Sequence, residues 1–301
     1  TISDDVAGTA KIGDTVTFTF TFSEAVTGFD TAKVTVGNGT KGTFTAVSST
    51  VYTLLVTPTA SSSGNVTVDV STTAVTDSAG NQATAPAQYL QAFDTLAPAT
   101  PTLTLAADTG TSTSDRLTNN ATINVAGLES GATWEYSTNS GTNWSSGSGS
   151  SFSVTAGSYS LGQVQVRQTD QAGNLGAANT SFAAFTVDTT APAVSSVVAT
   201  GTGITSGNGV LKAGAVVTLT VNTSEAVTIS GGPPTLSLSS GGTATYTAGS
   251  GTTSLSFSYT VSASQNTSDL TVTALNANGA TLIDTAGNPF ATFSNNPAGT
   301  L

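Results

Sequence analysis

The sequence predicts an all-β chain of antiparallel Greek-key sandwiches in tandem, and three observations carry that prediction. Apolar and hydroxyl side chains alternate with the two-residue period of a half-buried strand: in Val16 to Phe22 (VTFTFTF), Val16, Phe18, Phe20 and Phe22 fall on one face and Thr17, Thr19 and Thr21 on the other. No segment carries a convincing 3.6-residue stripe. Finally, the pentapeptide D-x-A-G-N occurs at Asp77 to Asn81, Asp170 to Asn174 and Asp284 to Asn288, 93 and 114 residues apart, which marks a three-module repeat.

Element by element, the same period predicts strands at Val51 to Val56, Val66 to Val70, Ile123 to Val125, Val164 to Val166, Val216 to Val221, Leu236 to Leu238, Leu255 to Val261 and Leu270 to Val272, with Gly, Ser and Asn turns between them. Short strands at this spacing, in modules of roughly 95 to 110 residues, read as sandwiches of immunoglobulin type. A second repeated string sets the boundaries. Asp94 to Pro98 (DTLAP) and Asp188 to Pro192 (DTTAP) each follow a D-x-A-G-N copy by one loop and one closing strand, and the proline stiffens the exit. The modules are therefore placed at 1–94, 95–188 and 189–301. Thr1 begins where a preceding linker would have finished and Leu301 stops where the next linker aspartate is due, so the segment is expected to lie within a longer array.

Composition bounds the function. Only 8% of residues are charged, against about 25% in an ordinary soluble domain, so Ser, Thr and Asn must supply the polar surface. Such a surface fits an extracellular sandwich, and the periodic aliphatic and aromatic content argues against disorder. Six basic residues against seventeen acidic ones, a net charge of −11, offer no footprint for a nucleic-acid backbone. There is no Cys for a disulfide or thiolate site, and no apolar run of membrane-spanning length or leader-like start. With no His either, the commonest general base is missing, and the acids lie in turns and linkers rather than around a cleft. The chain is read as a non-enzyme.

The first and third modules share Ser23 to Val26 and Ser224 to Val227 (SEAV), each directly after a strand, where the middle module has Leu128 to Ser130 (LES). Together with D-x-A-G-N, D-T-T-A-P, Asp108 to Asn120 (DTGTSTSDRLTNN), Trp134 to Tyr136 (WEY) and Gln163 to Asn174 (QVQVRQTDQAGN), these strings resemble the bacterial immunoglobulin-like repeats of giant secreted adhesins of the Bap and RTX type. The resemblance covers the whole chain. It implies an extended rod serving as a stalk, with calcium bound by acidic side chains at the module junctions.

Chemistry points to the same residues. In such a sandwich the loops after the second and sixth strands lie at the end that receives the incoming linker. At the first junction that gathers Asp94, Thr95, Glu129, Asp170 and Asn174, and at the second Asp188, Thr189, Glu225, Asp284 and Asn288. Calcium takes six to eight oxygens, so two or three carboxylates with an amide and backbone carbonyls would satisfy it. Glu24, Asp77 and Asn81 form an incomplete third set at the free end of the first module, with Asp4 or Asp5 expected nearby. Asp108 and Asp115 lie in a loop facing Asp188 and are candidates for a further site beside it. The corresponding stretch of the third module has Asn208 and Ala215 where the related repeats often carry Asp. The competing reading of D-x-A-G-N is a tight turn in which Asp and Asn bond the backbone and Gly supplies a positive φ.

The functional expectation is a calcium-stiffened stalk segment of a cell-surface or secreted bacterial adhesin, serving adhesion and biofilm formation by presenting a distal binding domain. Its partners are calcium ions and neighbouring modules of the same longer chain, with no nucleic acid and no membrane insertion. Two alternatives stay open: a module that itself binds carbohydrate or protein, which exposed Trp134 or Trp144 would favour, and a self-assembling matrix or surface-layer component.

Overall fold

The computed structural model describes residues 1–207, 209–265, 267 and 269–291; Asn208 and Leu301 lie outside them. It divides into two compact units. The first comprises Thr1–Leu103, Val125–Ser150 and Val164–Phe182, and the second Thr104–Asn124, Ser151–Gln163 and Ala183–Leu301.

In the first unit, residues 1–94 form a two-sheet sandwich from seven strands: β1 (Ile2–Ser3), β2 (Val16–Thr21), β3 (Val34–Gly37), β4 (Gly39–Ala46), β5 (Val51–Pro58), β6 (Ser63–Val70) and β7 (Tyr89–Asp94). One sheet has the order β1-β2-β5-β4 and the other β3-β6-β7. The alternation read in the sequence sets the faces: Val16, Phe18 and Phe20 of β2, Leu54 and Val56 of β5, and Val66 and Val68 of β6 are all buried. Phe29 closes one end of the core, edge-on to Phe20, Phe22 and Tyr52 with ring centroids 5.0 to 5.4 Å away. After β1 the chain crosses to the other sheet, where Ala10 makes a parallel bridge to Phe93. That crossing anchors the start of the linker, since Asp94 donates its N–H to the Ala10 carbonyl at 2.8 Å.

The same unit holds the strand Thr133–Ser137, paired on one side with Ser145–Ser146 and on the other with Gln165–Thr169. Trp134 is a core residue of that sheet, its indole N–H donated to the Gly149 carbonyl at 3.1 Å. Trp144 is half-buried and carries the Arg167 guanidinium 4.0 Å above its ring.

In the second unit, Gly157–Tyr159, Phe185–Val187 and Leu117–Thr118 form one sheet, whose last two members run parallel. The parallel register places Asp188 so that its N–H meets the Thr118 carbonyl at 2.9 Å, the counterpart of the Asp94–Ala10 bond. Residues 194–283 form a seven-stranded sheet folded round Leu219, Val221, Leu236, Leu255, Phe257 and Val272. Its central strand, Val216–Ser230, is longer than the sequence predicts. It pairs first with Val194–Thr200 and Thr252–Thr260 and then, beyond a bend, with Thr281–Ile283. The second SEAV string therefore lies inside a strand rather than in a loop. Asn222 faces Ser254 and Val227 faces Thr252, so residues 223–226 bulge outward at the bend. The last predicted strand begins later than expected, at Val272–Asn276.

Among the described residues the only helical element is one 3₁₀ turn, Thr31–Lys33, and no helix is long and apolar enough to cross a membrane. The all-β, immunoglobulin-like sandwich class is what the sequence predicts.

Candidate metal centre

Each D-x-A-G-N copy folds into the same turn. The aspartate N–H meets the asparagine carbonyl, one carboxylate oxygen accepts the asparagine N–H, and the other accepts the asparagine side-chain amide at 2.8 Å. The glycine takes φ of 86°, 90° and 97° in the three copies, a region open to Gly at little cost. This is the hydrogen-bonded turn that the sequence left as one of two readings. It does not by itself exclude a cation, because the oxygen that takes the side-chain amide has a second lone pair.

The turn also grips the preceding linker. Asn174 is buried, donates to the Asp94 carbonyl at 2.9 Å and accepts the Ile12 N–H at 2.8 Å. Asn288, equally buried, donates to the Asp188 carbonyl at 2.8 Å. The first copy has no such engagement. Asn81 is exposed, and with Glu24 and Asp77 it lines a cavity of about 550 Å³ floored by Phe20, Phe22 and Val26.

Three carboxylates converge in the second unit. Single oxygens of Asp188, Glu225 and Asp284 all lie within 4.8 Å of one another, the only such group of acidic side chains among the described residues. Two oxygens bound to one calcium at about 2.4 Å are at most about 4.8 Å apart, so the trio has the span of a shared ion. Asp284 is fully buried at the base and Asp188 and Glu225 are half-buried at the rim. Asp188 uses one oxygen to accept the Thr190 N–H at 2.9 Å. Burial, followed by the charges of Asp284 and Asp188, pushes the Glu225 carboxyl above its ordinary value. Each carboxylate pair at this separation repels by about 1 kcal/mol at the dielectric of water and about 3 kcal/mol at an effective value of 20. An oxygen-only, triply anionic set held together against repulsion fits a hard divalent cation.

Other predicted ligands are placed differently. Thr95 turns inward and donates to the Thr59 and Ser62 carbonyls, whereas Thr189 is exposed. Asp94 caps the Leu96 N–H, Asp170 is held by Asn174, and Glu129 points at the Ala99 N–H at 3.1 Å. The Asp94 and Asp170 bonds recur at Asp188 and Asp284, so the difference lies in Glu129, and Asp94, Glu129 and Asp170 do not form a close group as their counterparts do. Asp108 accepts the Arg116 N–H and Asp115 the Leu117 N–H, and neither joins the Asp188 group. The expectation that Asp4 or Asp5 sits near Glu24 is corrected. β1 runs antiparallel to β2 with Ile2 opposite Phe20, so the chain leads Asp4 and Asp5 away from Glu24, and Asp5 caps Thr17 at the far end of β2.

Two contributors were missed in the sequence. Gln168, fully buried two residues before Asp170, occupies the place of Val75 and Leu282 in the other copies. It accepts the Glu129 N–H and donates to the Ala99 and Gly127 carbonyls. Ser224 accepts the Ala193 N–H at 2.9 Å on its side-chain oxygen. The departure of a glutamine from an apolar position was visible in the repeat alignment, but its partners were not.

A family model described as bacterial Ig-like domain matches residues 1–93. Bacterial Ig-like repeats are thus supported over the first third of the chain. Among solved structures, the chain aligns with InvD of Yersinia pseudotuberculosis at 15% identity and a TM-score of 0.23, covering 97% of this chain and 95% of that one. It aligns with a marsupial T cell receptor at 11% identity and a TM-score of 0.22, covering 97% and 98%. Superpositions this weak carry no argument. No curated protein matches the sequence.

Proposed function

We propose that this chain is a stalk segment of a bacterial adhesin, extracellular or at the cell surface, in which calcium bound at the end of a linker stiffens the joint between successive Ig-like modules. The observation that supports it is the convergence of Asp188, Glu225 and Asp284 from a linker, a strand bulge and a D-x-A-G-N turn. One ion there would tie together three segments remote in sequence. In this reading the modules are 1–94, 95–188 and 189–301, the work is mechanical, and adhesion and biofilm formation belong to the longer protein that the segment serves. The first and third of these modules each carry a buried core, so calcium would add stability without being needed for their strands to form. The carbohydrate-binding alternative loses its best platform, because Trp134 is buried and Arg167 covers Trp144.

Thermal unfolding tests the proposal. At about ten to a hundred times the dissociation constant, calcium should stabilise the folded chain by about 1.4 to 2.7 kcal/mol. Chelation should therefore lower the melting temperature while the circular dichroism stays β-rich, and scattering should show the rod expected from the sequence becoming more bent. A melting temperature indifferent to calcium would count against the proposal.

A further inference from the structure

We infer that the first linker is locked without metal, and that Glu129, which the sequence aligns with a cation-binding glutamate, is instead a positioning residue of a hydrogen-bond clamp. The same backbone group is held differently at the two linkers. After each D-T-x-A-P linker an alanine N–H needs an acceptor. At the second linker Ser224 supplies it, accepting the Ala193 N–H at 2.9 Å and returning its own N–H to the Ala193 carbonyl at 2.8 Å. The next residue, Glu225, is thereby free to turn toward Asp188 and Asp284. At the first linker the corresponding string is Leu128–Glu129–Ser130, and the glutamate carboxylate itself takes the Ala99 N–H at 3.1 Å.

The rest of the clamp is built to match. Gln168 is fully buried, with its side-chain oxygen on the Glu129 N–H at 2.8 Å and its amide on the Ala99 and Gly127 carbonyls at 2.7 and 3.0 Å. It therefore holds both the glutamate that grips Ala99 and the carbonyl of Ala99. Val75 and Leu282, the residues at that place in the other copies, cannot do this. Asn174 adds the Ile12 N–H and the Asp94 carbonyl. A buried amide with every partner in place resists opening, since each bond broken leaves a desolvated group unpaired. Asp94 and Asp170 carry the same backbone caps as Asp188 and Asp284, but with Glu129 held on Ala99 the three acids do not form the close trio seen at Asp188. No cation is then required to hold them.

This inference rests on the calcium reading only for its contrast with the second linker. Its test is amide exchange, residue by residue, on the whole chain in chelator and in millimolar calcium, with calorimetric calcium titration of the same samples and of Glu129→Gln and Glu129→Ala. The Ile12 and Ala99 amides should exchange equally slowly with and without calcium. Glu129→Gln keeps an acceptor for Ala99 but discards the charge, so it should leave both the protection and the titration unchanged. Glu129→Ala should speed Ala99 exchange by about tenfold, the loss of one charge-assisted bond, again without changing the calcium bound. Calcium-dependent protection of Ile12 and Ala99, or reduced calcium binding in Glu129→Gln, would overturn the inference. Failure of the calcium proposal itself looks different: no heat of binding in any sample, with Ile12 and Ala99 protected all the same.

Discussion

In the first D-x-A-G-N turn, Asp77 accepts from the Asn81 backbone and side chain. The Asn81 side chain is the largest cause holding the Asp77 carboxyl below its ordinary range, and backbone N–H groups add to it. The turn's contribution is accordingly present above the ordinary carboxylate pKa and is lost as pH falls through the lowered one. Asn81→Ala should return the Asp77 pKa toward the ordinary value, as read by carboxyl NMR titration. An unchanged value would mean that the amide does not set it. The residue types of this turn were legible in the sequence, as was their suitability for either a hydrogen-bonded turn or a cation. The sequence could not say that in the second copy the asparagine, Asn174, has a further task, because the Ile12 and Asp94 groups it meets lie 162 and 80 residues away.

At the scale of the elements, most strands were legible because alternation of apolar and hydroxyl residues fixes which face is buried. What alternation could not reveal was the bend in Val216–Ser230. Its bulge depends on Thr252 and Ser254 of a partner strand, and it is the bulge that carries Glu225 to the acids of two other segments. The exchange of Ser224 for Glu129 as the holder of a linker alanine was hidden for the same reason. Another element-level constraint is Gly110, at φ 94°, whose loop is pressed against the third D-x-A-G-N turn. Thr109 donates to the Ala286 carbonyl at 2.7 Å and Thr111 to the Thr285 carbonyl at 3.3 Å. A methyl group on Gly110 would run into the Thr285 carbonyl and the Ala286 backbone while forcing a left-handed alanine. Gly110→Ala should cost about 1 to 3 kcal/mol and speed exchange at Thr111, measured by denaturant unfolding and amide exchange. Unaltered stability would show that this contact does not constrain the loop.

For the whole molecule, an acidic, cysteine-free chain of Ig-like sandwiches calls for some means other than disulfides to fix its linkers. Two solutions are proposed for it: hydrogen bonds round Gln168 and Asn174 at the first linker, and a carboxylate trio that a cation would neutralise at the second. The central claim is the second. Asp188 is the linker's own contribution to the trio, and Asp269 lies outside it. Calcium modules outside the cell bind at about 10⁻⁴ to 10⁻³ M, so loss of one carboxylate should carry such a site beyond millimolar calcium. The most direct measurement is calorimetric calcium titration of the parent chain beside Asp188→Ala and Asp269→Ala. The parent should bind calcium, Asp269→Ala should bind it equally well, and Asp188→Ala should lose or severely weaken binding; equal stoichiometry and affinity in all three would remove Asp188 from the site.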